Sequence, residues 1–511
     1  MGLISACLST RLVNLENVDA RWPALSAQGG WRADVAELLT HYEKLPVLAP
    51  EDERLEPLFG GLTTLSYFGA DALPRVLDQQ IPAQGAAVGR TLEDACSRPP
   101  TNMEEGFATT GTPVFVPVWL PLAVSGGAAP AGASCGERGQ PSSPEVFCVF
   151  GRLALQPEPG RALILVAHGM FDSGAQLYVQ RLAAMLYALG HSVLLPDMRD
   201  HGDTFRAAPQ LAATFGTLEG PDMLALVAQA RQTCGALIGR AGIAAVSGGS
   251  LNAIRALILD REHSLNAGVL ALSPLLDVRQ TLADISETGA CTLTSSVELS
   301  WHDDLAIGLA AGAAAFGGAA LVQALHGDAL DGQTALAGGI AAVTGLVGAI
   351  SLDAFFDGGS DACVAQHAIA DIVQGALRVR WRTLQQVPGT LSPAGQRIAA
   401  DSVKLADYMR ERAHYQAKVH KLPLRLFEAR TLAHDLRATL AADSGHETRL
   451  LVLGADDDPM VRVPALRELA RLTRDIPQIA THILAHGGHG AMALVQPAVT
   501  RAVVQRFFAP E

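Results

Sequence analysis

Short apolar runs alternate with longer amphipathic ones along the middle of the chain: strands are expected at 162–166, 192–195, 243–246 and 268–272, and helices at 175–189, 223–238 and 251–259. Strands that are apolar throughout are covered on both faces, and strands joined by helices pair in parallel. This order therefore constrains the chain to an α/β class with a mostly parallel central sheet and helices on both faces. The rhythm stops near Arg279 and resumes with a strand at 449–453, a helix at 464–472 and a strand at 481–484. One sheet is thus interrupted by a long insertion.

Residues 1–110 read as a mainly helical region, with helical apolar spacing over 31–45. A first strand follows, in which Val114, Val116, Val118 and Leu120 alternate with other residues. A Gly/Ala/Pro/Ser-rich stretch at 125–144 reads as a flexible loop before a second strand at 146–155. The resulting organisation is an N-terminal helical region at 1–110, the first part of the core at 111–279, a helical cap or lid at 280–445, and the second part of the core at 446–511.

Composition sets limits on partners. The 511 residues suit about three domains, or one large domain with insertions. With 49% hydrophobic and 17% charged residues the chain can bury a large core. A net charge of -13 argues against nucleic acid as a partner. The 7 cysteines are odd in number and widely spread, with no C-x-x-C pair, so neither a disulfide framework nor a cysteine metal site is expected, and a reducing, cytoplasmic setting is. Ile4-Ser5-Ala6-Cys7 has the form of a bacterial lipoprotein cleavage box, but no basic segment or apolar run of signal length precedes it.

The strand at 243–246 runs directly into Ser247-Gly248-Gly249-Ser250 and then a helix. A serine at such a sharp turn projects its hydroxyl above the sheet, and small neighbours let the strained turn form. A serine hydroxyl needs a base, and the base needs a group to orient it. Gly487-Gly488-His489-Gly490 follows the last strand, and Asp456-Asp457-Asp458-Pro459 follows the strand before it. His168-Gly169-Met170 follows the strand at 162–166, where a backbone N–H can face a developing oxyanion.

These four elements, in the order Ser247, Asp458, His489 with the His168 loop ahead of them, resemble the α/β-hydrolase superfamily over 112–279 and 449–511. The segments Pro196 to Asp203, Leu272 to Asp277 and Asp457-Asp458-Pro459 look like an esterase subgroup of it. Ala245 at the first small position of the elbow, Ser250 after it and the length of the insertion depart from the usual pattern. The resemblance implies Ser247 as nucleophile, His489 as base, Asp458 as its orienting acid, and the N–H groups of Met170 and Gly248 as oxyanion hole. Asp457 stays open as the acid, and Asp277 is an outside candidate. His482, His486 and His489 are spaced like a zinc set but lack helical register, so no metal is expected, nor any organic cofactor.

Within the insertion, 305–325 and 335–352 carry no charge and have the length of membrane spans, yet they are rich in Ala and Gly and flanked by Asp. A cap over the site and a hairpin of 305–352 contacting a membrane both stay open. Either would favour a lipophilic or acyl ester. The expected activity is hydrolysis of a small-molecule carboxylic ester through an acyl-enzyme. Acyl transfer and cleavage of thioesters, amides or lactones use the same triad, and a noncatalytic binding scaffold is the alternative of another class. Oligomeric state is not readable.

Overall fold

The computed structural model describes residues 30–44, 87–97, 115–170, 172–287, 375–420, 426–442, 448–456, 458, 461–485, 489 and 497–509. The hairpin segment 305–352, with its uncharged runs 305–325 and 335–352, lies outside the described residues, as do Cys7, Asp457, His486, Gly487 and Gly488.

Eight strands form one sheet: β1 Val116–Ala123, β2 Val146–Ala154, β3 Arg161–Ala167, β4 Ser192–Pro196, β5 Ile238–Val246, β6 Gly268–Leu272, β7 Leu450–Ala455 and β8 Ile479–Leu484. Their order across the sheet is β1-β2-β4-β3-β5-β6-β7-β8. β2 is antiparallel to both of its neighbours, and from β4 to β8 every pair is parallel. The expected mostly parallel sheet is therefore present, and it is continuous across the insertion: β6 pairs in register with β7, Val269 opposite Leu450.

The apolar strands serve both faces by simple alternation. Leu163, Leu165, Ile243 and Ala245 enter one core cluster, while Ile164, Val166, Ala244 and Val246 enter the other. The first face is covered by α3 Glu219–Cys234, α4 Gly248–Leu259, α6 Ala429–Ala442 and α7 Val463–Thr473, through residues such as Leu226, Ile254, Leu432 and Leu466. The second is covered by α1 Gly30–Lys44, α2 Leu177–Ala188 and α8 Pro497–Phe508, through Leu38, Leu182, Val504 and Phe507. Trp31 meets Phe507 edge-on at 5.4 Å between centroids, which seats the N-terminal helix on the C-terminal one. Each such fully buried large side chain contributes about 1.5–3 kcal/mol.

Two boundaries differ from expectation for a local reason. The helix expected at 223–238 ends at Cys234, because Gly235 takes φ 55° and turns the chain, which frees Ile238 to start β5. Of the residues after β6, helix α5 Leu405–His420 packs toward the loop that follows β4, and α6 joins the layer beside α4. There Arg255 pairs with Asp435 at 2.9 Å and stacks over Phe427 at 4.2 Å.

The cysteine reading is corrected. Cys96 is bonded to Cys234 and Cys135 to Cys148, with Cα separations of 5.1 and 5.9 Å. The first pair is 138 residues apart in sequence and is brought together by packing of the helix Leu92–Ser97 on α3. The second ties the 125–144 loop back to β2. Spacing along the chain carries no trace of either contact, and the inference to a reducing compartment loses its ground, since disulfides persist in oxidising ones. Among the described residues no helix is long and apolar enough to cross a membrane.

Candidate active site

Parallel strands that share a sheet deliver their following loops to one edge, which is where such sheets bind ligands. The His168 loop follows β3, Ser247 follows β5, Asp458 follows β7 and His489 follows β8. All four sequence-derived elements therefore leave the sheet from the ends of parallel strands.

At the end of β5 the backbone of Ser247 stands at φ 58°, ψ −123°, and α4 begins with the next residue. A positive φ in a residue bearing a Cβ is strained, and the surroundings hold it here: Ser247 N–H donates to Leu272 O at 2.8 Å, and Ser250 N–H donates to Ser247 O at 3.0 Å. A Cβ on Gly249 would stand 2.4 Å from His168 O, so only glycine lets the elbow approach the β3 loop. Ser250 is wholly buried, and its single hydroxyl proton lies between Ala245 O at 2.8 Å and Leu272 O at 2.9 Å, bridging β5 and β6. Its role is therefore to brace the turn. The chain has the α/β-hydrolase fold. In an α/β-hydrolase this strained turn is what presents the nucleophile.

The β3 loop lies directly against the elbow. A Cβ built on Gly248 would be 3.3 Å from Met170 N, and one built on Gly169 would be 3.2 Å from Ser247 Cβ. His168 is buried, donates from Nδ1 to Gly169 O at 2.7 Å and accepts Met198 N–H on Nε2 at 3.1 Å. This is the neutral tautomer, and burial lowers the pKa and keeps it so. Gly169 N–H donates to Tyr178 Oη at 2.7 Å, and that hydroxyl donates to Asp172 Oδ2 at 2.8 Å. With Gly169 N–H thus engaged, the next N–H in the loop, that of Met170, has no acceptor among the described residues. Gly248 N–H, at the first turn of α4, is likewise unused there.

His489 and Asp458 meet side by side. His489 Nδ1 is 3.0 Å from each carboxylate oxygen of Asp458, and both side chains are buried. Asp458 is itself held by Val461 N–H, 2.9 Å from Oδ1. Asp456 points outward to Arg467 at 2.8 Å, and Asp277 caps the following helix through Gln280 N–H at 3.2 Å. Asp457 lies outside the described residues. No group of three or more His, Cys, Asp or Glu placed to hold a metal occurs among the described residues.

Sequence reasoning missed Asp172 and Tyr178. Asp172 stands two residues beyond Met170 in the same loop, which was a usable signal; Tyr178 carries none, since its part depends on α2 folding back over the loop. Burial pushes the Asp172 carboxyl up to about 6, against the opposing pull of Tyr178, Arg380 and His489.

No family model and no curated protein matches the chain. Among solved structures it is similar to the Pyrococcus furiosus esterase Pf2001 at 14% identity, over 70% of this chain and 86% of that one, with a TM-score of 0.35. It is similar to Est1E from Butyrivibrio proteoclasticus, seen with bound ferulic acid, at 13% identity over 70% and 92%, TM-score 0.34. A 2,6-dihydroxy-pseudo-oxynicotine hydrolase matches at 11% identity over 73% and 66%, TM-score 0.36.

Proposed function

We propose that the protein is a serine hydrolase that cleaves carboxylic esters, with Ser247 as nucleophile, His489 as general base and acid, Asp458 as the group that orients and charges-balances the imidazole, and Met170 and Gly248 as oxyanion donors. The observation that carries this reading is the contact of the strained Ser247 elbow with a loop whose Met170 N–H, like that of Gly248, is unused among the described residues.

Ser247 Oγ attacks the ester carbonyl as His489 Nε2 takes its proton, and Nδ1–H of the resulting imidazolium donates to Asp458. The carbonyl oxygen becomes an oxyanion and moves onto the N–H groups of Met170 and Gly248, a stabilisation of about 2.7–4 kcal/mol per donor in sites of this kind. Collapse expels the alcohol, which receives the proton from His489, and leaves the acyl group on Ser247. Water then attacks under the same base and releases the acid. No step calls for a metal or organic cofactor.

An intact-mass measurement during turnover of p-nitrophenyl esters tests this. A transient adduct equal to the acyl group, with one equivalent of nitrophenolate released ahead of steady state, is the expected result. Turnover with no adduct, in a protein whose nucleophile traps also leave no mark, would refute acyl-enzyme chemistry.

A further inference from the structure

Two peptide planes meet at Gly169, and each is fixed by one side chain. Gly169 O lies 2.7 Å from His168 Nδ1, and because a peptide is planar this also sets the direction of Met170 N–H, the proposed oxyanion donor. Gly169 N–H, in the preceding plane, donates to Tyr178 Oη at 2.7 Å. That hydroxyl has a single proton and gives it to Asp172 Oδ2 at 2.8 Å. Tyr178 Oη thus joins residues 169 and 172, the two ends of the segment that carries Met170. The tyrosine is 0% exposed, so this link is shielded from bulk water.

The same groups stand against Ser247. The position that a Cβ would take on Gly169 is 3.2 Å from Asp172 Oδ2, from Tyr178 Oη and from Ser247 Cβ. A shift of Gly169 is therefore felt at the serine and at Met170 N–H together. The charge on Asp172 matters to this link. Donation to a carboxylate is about twice as strong as donation to a neutral group, and hydrogen bonds in a chain polarise one another, so an ionised Asp172 also makes Tyr178 Oη the better acceptor for Gly169 N–H. Protonation of Asp172 weakens both bonds at once. Burial raises its carboxyl to about 6, against the pull of the groups that face it: Tyr178 of α2, Arg380 of the insertion and His489 after β8. The charge is thus present at neutral pH and lost in mild acid.

We propose that Asp172 is a positioning residue for the oxyanion step, and that its ionised form, acting through Tyr178 and Gly169, sets the loop that offers Met170 N–H. The assignment rests on the serine-hydrolase reading and adds to it a control by pH that is separate from the base. His489 must be neutral to take the serine proton, and Asp172 must be charged to hold the loop.

The test is kcat/KM for p-nitrophenyl acetate between about pH 4.5 and pH 8, in the full-length protein. In the parent the acid limb should fall with two protons, one stage lying at about 6 and bringing a roughly threefold to tenfold loss beyond that of His489. Asp172→Asn and Tyr178→Phe should each be slower than the parent at the upper end of the range and lack that stage. Tyr178→Phe separates two roles: it keeps the Asp172 carboxyl near His489 but cuts the path to Gly169, so a carboxylate acting only by its field would keep both stages there. Hydrogen exchange at Gly169, read by mass spectrometry and corrected for the intrinsic effect of pH, needs neither a variant nor catalysis. Its protection should drop in the parent as pH falls through about 6 and be independent of pH in Asp172→Asn. A second stage retained in both variants, or Gly169 protection that ignores pH in the parent, would overturn the proposal. Protection that follows Asp172 in a protein with no esterase activity and no serine labelling would uphold the link between Asp172 and the loop and refute the hydrolase reading instead.

Discussion

His489 Nδ1 stands 3.0 Å from both carboxylate oxygens of Asp458, an aspartate whose side chain is shielded from solvent and fixed by Val461 N–H. An imidazole held this way keeps its proton on Nδ1 and offers Nε2 to the nucleophile. Asp458→Asn should therefore lower kcat by about ten-thousandfold with the fold retained, as measured by ester hydrolysis and circular dichroism. Asp456→Asn, at a surface ion pair, should stay within twofold of the parent, and Asp457→Asn should fall far less than Asp458→Asn. A larger loss at Asp457 would transfer the acid to that position.

Ser250 gives a contrasting case. Its hydroxyl bridges the carbonyls of Ala245 and Leu272 behind the elbow, so Ser250→Ala should cost about 1 kcal/mol of stability and leave labelling of the nucleophile in place. Urea unfolding and fluorophosphonate labelling of the same sample check both halves.

The Gly169–Tyr178–Asp172 chain holds the loop after β3, to which the proposed mechanism gives the oxyanion donor Met170. Tyr178→Phe removes the acceptor of Gly169 N–H and frees that loop, so kcat should fall by up to about a hundredfold while KM changes little. An unchanged kcat would show that the loop keeps its geometry by other means.

Asp172 also has a signature in stability. Its carboxyl is raised in the folded protein to about 6, so between the ordinary carboxyl range and that value the folded state holds a proton that the unfolded state has lost. Stability contributed by this group is thus present at the acid end of the window and is lost as pH rises through about 6. Denaturant unfolding of the parent and of Asp172→Asn across that range should show a shallower pH slope in the variant.

Much of the architecture was legible because the signals are local. Runs such as Leu163 to Val166 and Ile243 to Val246 are apolar on both faces, and that alone implies a covered parallel sheet. Ser247, Asp458 and His489, to which the proposal gives the roles of nucleophile, acid and base, follow strands at places where Gly and Pro mark the chain. The C-terminal helix was not read, although Phe507 and Phe508 anchor one face of the sheet, and the extension of β5 back to Ile238 was hidden behind a helical pattern. The Cys96–Cys234 disulfide is a contact across 138 residues, and no periodicity encodes such a meeting.

The two disulfides carry their own expectation. Cys96–Cys234 closes a loop of 138 residues, and bonds of this kind contribute roughly 2–5 kcal/mol. Thermal unfolding with and without reductant should show a clear drop in midpoint, and non-reducing peptide mapping should recover both linked pairs.

The account turns on Ser247, and the most direct measurement is peptide mapping of the full-length protein after reaction with a fluorophosphonate. The account predicts one modified serine, Ser247, with labelling and ester hydrolysis both abolished in a folded Ser247→Ala variant. A label found on another residue, or hydrolysis that persists unchanged in Ser247→Ala, would contradict it.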